Sequence, residues 1–200
     1  MGLAKATLPF GPELMLQRVV RLLSQVVQPI VVVAAPGQEL PPLPTHVLAT
    51  RDEREGRGPL EGLLAGLTAV APHASCAYAT SCDVPLLVPE FVSAMIARLG
   101  DADIAVPVEG KFPHPLAAVY RTSVLPHIHE LLAADQLRPA FLYDRVATHR
   151  VPADELRSVD PQLTTLRNLN RPEDYLAALA EAGFAPEPSI LAGLGTPRTG

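Results

Sequence analysis

Between Pro29 and Pro36 the chain reads Ile30-Val31-Val32-Val33-Ala34-Ala35, a continuous apolar run with no polar position left to face water. A strand with one wetted face alternates, whereas an unbroken β-branched run belongs to a strand covered on both faces, as in a parallel sheet between two layers of helices. The flanking sequence must then supply those helices. Before the run, Met15, Val19, Leu22, Leu23 and Val26 recur at helical spacing, so a helix is expected there, ended by Pro29. After it, a Pro/Gly-rich loop from Pro36 to Pro44 leads to a short strand predicted over Thr45 to Ala49.

The alternation continues. Pro59 suits the start of a helix carrying Leu60, Leu63, Leu64 and Leu67. Gly58, Gly62 and Gly66 fall on one stripe of that helix, which predicts close approach by packed backbone at Gly66 and by a ligand at Gly58. Cys76 to Thr80 reads as a buried strand, followed by a helix over Pro89 to Leu99 and a strand over Ala102 to Val108. Glu109-Gly110-Lys111 turns the chain back through Phe112 to Tyr120, an antiparallel element. A helix from Ser123 to Ala134, a helical stretch at Phe141 to Val146, an edge strand at Thr148 to Val151 and a last helix from Pro172, stopped by Gly183, complete the order. The expected fold is a three-layer, Rossmann-like, doubly wound α/β domain over residues 1–184, its sheet mostly parallel. Residues 185–200, rich in Pro, Gly and Thr, read as a disordered tail.

At 48% hydrophobic and 18% charged, the 200 residues suffice for a sizeable core. A net charge of −5 with no basic patch argues against nucleic acid but leaves room for a small anionic substrate held by a few local cations. Cys76 and Cys82 form neither a disulfide framework nor a zinc pattern. With no signal peptide and no bilayer-length apolar run, a cytoplasmic protein without membrane attachment is expected.

Chemistry concentrates where the Cys76–Thr80 strand runs into Ser81-Cys82-Asp83-Val84-Pro85. Pro85 prevents the strand from continuing, and ligands of open α/β sheets bind at strand carboxyl ends. Asp83 is there either a Mg²⁺ ligand or a cap for the following turn.

Five stretches in order then resemble the motif series of the MobA-like nucleotidyltransferases, of the molybdenum cofactor guanylyltransferase type: Met1 to Gly11, Gly58-Pro59-Leu60-Glu61-Gly62, Ser81 to Pro85, His114-Pro115-Leu116, and Asn168-Leu169-Asn170-Arg171-Pro172-Glu173-Asp174. The resemblance covers about residues 1 to 182 and implies a nucleotide-diphospho-sugar transferase-like fold. It implies transfer of a nucleotide from GTP or CTP to the phosphate of molybdopterin, with Mg²⁺ as cofactor, pyrophosphate as product and cofactor-delivery proteins as partners. By resemblance Lys5 contacts phosphate, Asp83 holds Mg²⁺, Asp52 and Gly58 face the nucleotide, and His114, Asn168 and Asn170 lie beside the acceptor.

Structural alternatives stand beside these roles: a solvated Lys5, a packed His114, and asparagines that end a strand or cap a helix. For Arg51, Arg54 and Arg57 a solvated loop face is expected rather than phosphate contact. The family's opening strand and its Leu-Ala-Gly-Gly-x-Ser-x-Arg loop are absent, so the gene product is expected to extend upstream by roughly 12–18 residues, as element lengths suggest. Without them an uncovered sheet edge, poor stability and little catalysis are expected. Ala4 and Ala34-Ala35-Pro36 also depart from the guanylyltransferase pattern. A cytidylyltransferase, or a non-catalytic nucleotide-binding module, is the alternative.

Overall fold

In the computed structural model, residues 4–52, 56–188 and 190 are described. Met1 to Leu3 of the opening motif, Arg54, and residues 189 and 191–200 of the tail lie outside them. Ahead of the first helix, a 3₁₀ turn at Lys5–Thr7 leads into a two-residue hairpin, β1 (Pro9–Phe10) with β2 (Glu13–Leu14). Gly11 makes that turn at φ 66°, and a Cβ there would lie 2.7 Å from ring atoms of Phe184.

Helix α1 (Met15–Leu23) buries Met15, Val19 and Leu23, as its spacing predicts, and also Leu16 and Val20, which that spacing passed over, and it ends before Pro29 is reached. Ser24 hydrogen-bonds its hydroxyl back to Val20 O at 2.8 Å, and Val26, predicted apolar-face, is exposed.

The two-faced strand is β3 (Ile30–Ala34), paired in parallel with β4 (Val47–Arg51), which starts two residues later than expected. Helix α2 (Pro59–Val70) crosses behind, its N-terminus formed by Gly58 at φ 70°. Gly66 admits Val33 Cγ2 to 3.2 Å of where a Cβ would sit, so the close neighbour is a strand side chain rather than backbone.

A second sheet has the order β5 (Cys76–Thr80), β8 (Ala117–Arg121), β6 (Ile104–Glu109), with β9 (Thr148–Pro152) on the outer side of β6 and the short β7 (Phe112–Pro113) against the end of β6. β5, β6 and β9 run one way, and β8 runs between β5 and β6 in reverse. It is the expected antiparallel element, interrupted at His114-Pro115-Leu116. Among the described residues, β3 pairs only with β4 and β5 only with β8, so the sheet stands in two pieces.

The helices α3 (Pro89–Ala97) and α1 cover one face. On the other face, α2 packs with α4 (Leu125–Ala133) and the short α5 (Ala140–Tyr143). Residues 144–146, predicted helical, lie beyond α5. Helix α6 (Pro172–Glu181) forms a satellite cluster with Leu8, Phe10 and Met15, joined by Ile190 of the predicted tail. Among the described residues no helix is long and apolar enough to cross a membrane.

Candidate active site

Strand β5 delivers its chain to Asp83, which is 7% exposed. A carboxylate so shielded needs partners, and it has two, with a third bond at the backbone carbonyl. Lys5 Nζ donates to Oδ2 at 2.7 Å, the Ser81 hydroxyl donates to Oδ1, and the backbone carbonyl accepts from Leu169 N–H at 3.0 Å. Lys5 Nζ donates also to Asn170 Oδ1 at 2.7 Å. Segments 78 and 165 residues apart thus converge on one ammonium. The 3₁₀ turn at residues 5–7 places Lys5, with Ala6 buried as its anchor.

The donor set has the chemistry that Mg²⁺ takes: one carboxylate and an adjacent hydroxyl, hard oxygens that leave positions for phosphate and water. Among the described residues no cluster of three or more His, Cys, Asp or Glu converges, so an all-protein cage is not formed by them. Cys82 lies between Ser81 and Asp83, and burial, then the Asp83 carboxylate, pushes its thiol up, away from the reactive thiolate form.

A second group gathers at the start of α2. Asp52 Oδ1 is buried without a hydrogen-bond partner among the described residues, and burial, then the neighbouring Glu61 carboxylate, raises its pKa. A Cβ at Gly62 would lie 3.6 Å from Asp52 Oδ1, while at Gly58, the helix N-cap, the nearest atom to a Cβ would be Leu137 O at 3.9 Å. Arg57 is not part of a solvated face. It donates to Leu132 O at 2.5 Å and lies 3.5 Å from Glu61, only 19% of its side chain exposed. Arg51 likewise donates to Ala35 O and Gln38 O, closing the loop after β3.

His114 is half-buried at the interruption between β7 and β8, its backbone N–H held by Pro107 O at 2.9 Å. Nε2 lacks a hydrogen bond among the described residues and lies 3.8 Å from Glu109 Oε2. Burial lowers the imidazole pKa, against the pull of Glu109. Register puts this loop next to Thr80, which pairs with Ala117. Asn168 is exposed and lines a cavity of about 280 Å³ with Leu86, Asp174 and Ala178, apart from the Lys5 cluster. Lys5, Asp83 and Asn170 therefore meet, whereas Asp52, which borders Gly62, stands apart from them, as do Gly58, His114 and Asn168.

Sequence reasoning passed over Ser81 and Glu61 as side chains with partners, although both lie within motifs it singled out. Their roles depend on neighbours two and nine residues away, at Asp83 and Asp52, rather than on a spacing of their own.

A sequence model of the MobA-like NTP transferase domain matches residues 1–151. The chain belongs to the MobA-like NTP transferase family. It is 38% identical over 188 residues to a probable molybdenum cofactor guanylyltransferase of Mycobacterium avium, covering 91% of this chain and 89% of the relative. The probable molybdenum cofactor guanylyltransferase of Mycobacterium tuberculosis H37Rv is 37% identical over 175 residues, covering 85% and 82%. Among solved structures, molybdopterin-guanine dinucleotide biosynthesis protein A of Archaeoglobus fulgidus superposes with a TM-score of 0.74 at 20% identity, covering 91% of this chain and 92% of that one. The 2-C-methyl-D-erythritol 4-phosphate cytidylyltransferase of Thermus thermophilus gives 0.62 at 16%, covering 90% and 93%. These last two carry the nucleotidyltransferase fold alone.

Proposed function

We propose that the protein transfers GMP from GTP to the phosphate of a molybdopterin-type acceptor in the cytoplasm, with Mg²⁺, releasing pyrophosphate. The observation that carries this reading is Lys5 Nζ at 2.7 Å from both Asp83 and Asn170 at the carboxyl end of β5. The guanylyltransferase names of relatives at 37–38% identity favour GTP over CTP.

An oxygen of the acceptor phosphate forms a bond to the α-phosphorus. The bond from that phosphorus to the β-phosphate oxygen breaks, and its electron pair leaves with pyrophosphate. Such a displacement needs positioning and charge neutralisation more than a covalent protein group. Lys5 supplies a point charge for phosphate oxygens, and Asn170, accepting one of its protons, keeps it aimed at the site. Asp83 would hold Mg²⁺, which supplies Lewis-acid neutralisation of the phosphate charge when bound. Asp52, with an oxygen unpartnered among the described residues, accepts N–H donors from the nucleotide, and the open side of Gly58 leaves room for it. His114 and Asn168 serve the acceptor side.

Isothermal titration with GTP and CTP, each with and without Mg²⁺, tests the proposal. Metal-dependent GTP binding is expected, with Asp83→Asn abolishing both the metal dependence and turnover. Binding of neither nucleotide would leave a non-catalytic module, and tighter CTP binding would make this a cytidylyltransferase.

A further inference from the structure

Asp160 is buried to 2% exposure, outside every motif considered above. Its carboxylate is satisfied by backbone: Oδ1 accepts Thr164 N–H at 2.9 Å, Oδ2 accepts Thr165 N–H at 2.9 Å, and the Thr164 hydroxyl oxygen lies 3.3 Å from Oδ1. The turn so closed contains Leu163 at φ 51°, a left-handed conformation that a γ-branched residue adopts only under constraint. The two threonines then reach out of the turn. Thr164 Oγ1 donates to Leu86 O at 2.9 Å, and Thr165 Oγ1 accepts Val88 N–H at 3.0 Å, an amide at the start of α3. Four residues on, Leu169 N–H donates to Asp83 O at 3.0 Å, and Asn170 holds Lys5. Three bonds therefore fasten the segment 164–169 to the segment 83–88, like a buckle whose tongue is the Asp160 carboxylate.

We infer that Asp160 is a positioning residue for Asp83: through Thr164 and Thr165 it fixes the loop that presents Asp83, and the register that brings Asn170 to Lys5. It touches no reacting atom. The inference rests on the proposed role of Asp83 toward a metal–nucleotide complex. Partners behind metal-ligating carboxylates set affinity because they restrict the ligand's orientation, typically by 10–100-fold.

The test uses the full chain and Mn²⁺·GTP, with metal affinity read by electron paramagnetic resonance and amide exchange read by NMR without metal or nucleotide. Thr164→Val keeps the β-branched shape and deletes the bond to Leu86 O. It is expected to weaken Mn²⁺·GTP binding about tenfold and to speed exchange of the Leu169 amide by a similar factor, while Thr164→Ser restores both. Asp160→Asn, which turns an amide against one of the two backbone donors, is expected to do the same or more. Asp83→Asn is the control. If it leaves Mn²⁺·GTP binding unchanged, the proposed active site fails; if it weakens binding while a folded Thr164→Val does not, the buckle fails. Should both variants misfold, the wild-type protein decides. Its Val88, Thr164, Thr165 and Leu169 amides are expected to open as one unit, and independent opening overturns the inference.

Discussion

At the scale of the residue, Asp52 is where stability and function pull apart. Its carboxylate is held partly out of water, beside Glu61, with one oxygen unpaired. A raised pKa means that the folded protein binds a proton more readily than the unfolded chain. Stability is therefore highest below the ordinary carboxylate range and falls as pH rises through the interval between that range and the raised value. Above it the penalty is fully present. Asp52→Asn removes the charge and is expected to raise the melting temperature at pH 7 while leaving it unchanged near pH 3. Calorimetric scans of the two proteins across pH check this. A variant less stable at pH 7 would mean that the charge is compensated. Lys5 shows the opposite economy, one ammonium answering two acceptors, so charge and position are secured together.

At the scale of the element, α2 decides how the two sheets sit against each other. Leu60, Leu63 and Leu67 pack toward β6 and β8, while Gly66 lets Val33 of β3 in at 3.2 Å. Gly66→Leu forces side-chain bulk into that contact and is expected to cost about 1–3 kcal/mol despite the better helix former, as overpacking does. Urea denaturation gives the value, and an unchanged midpoint would show the contact to be yielding. This helix was legible in sequence because Pro59 marks its start and its leucines keep one face. β5 was legible residue for residue, since small apolar residues end at a charge and a proline. The end of α1 was not, because the regular helix stops at Leu23, with Ser24 as its C-cap, and no proline or glycine marks that place. Nor was the Asp160 turn, whose meaning lies in a segment more than seventy residues away. Lys5, Asp83 and Asn170 could be put together only through the order of motifs, since no local spacing relates them.

At the scale of the whole molecule, the sheet in two pieces leaves a distinctive record in its backbone. Ala34 O accepts Asp52 N–H, so at Ala34, and by alternation at Val32, the strand turns its polar groups toward β4. Val31 and Val33 then turn theirs to the side of β3 that has no strand partner among the described residues. On β5, Ser75 O accepts Thr122 N–H across the β8 side, which leaves Tyr78 and Thr80 pointing to the other edge. The Tyr78 hydroxyl and Thr80 Oγ1, on the faces of the strand, are themselves buried without partners among the described residues. Unpaired backbone of this kind is held only by packing, chiefly from α2, which touches both strands. Native-state hydrogen exchange on the 200-residue chain should therefore alternate along both strands. The Val31, Val33 and Tyr78 amides are expected to exchange at least tenfold faster than those of Val32, Ala34 and Ala79, an opening difference of about 1.4 kcal/mol by the usual conversion. Uniform protection along β3 and β5 would mean that something pairs with these edges in solution. A protected edge whose protection grows with protein concentration would identify that partner as a second copy of the chain.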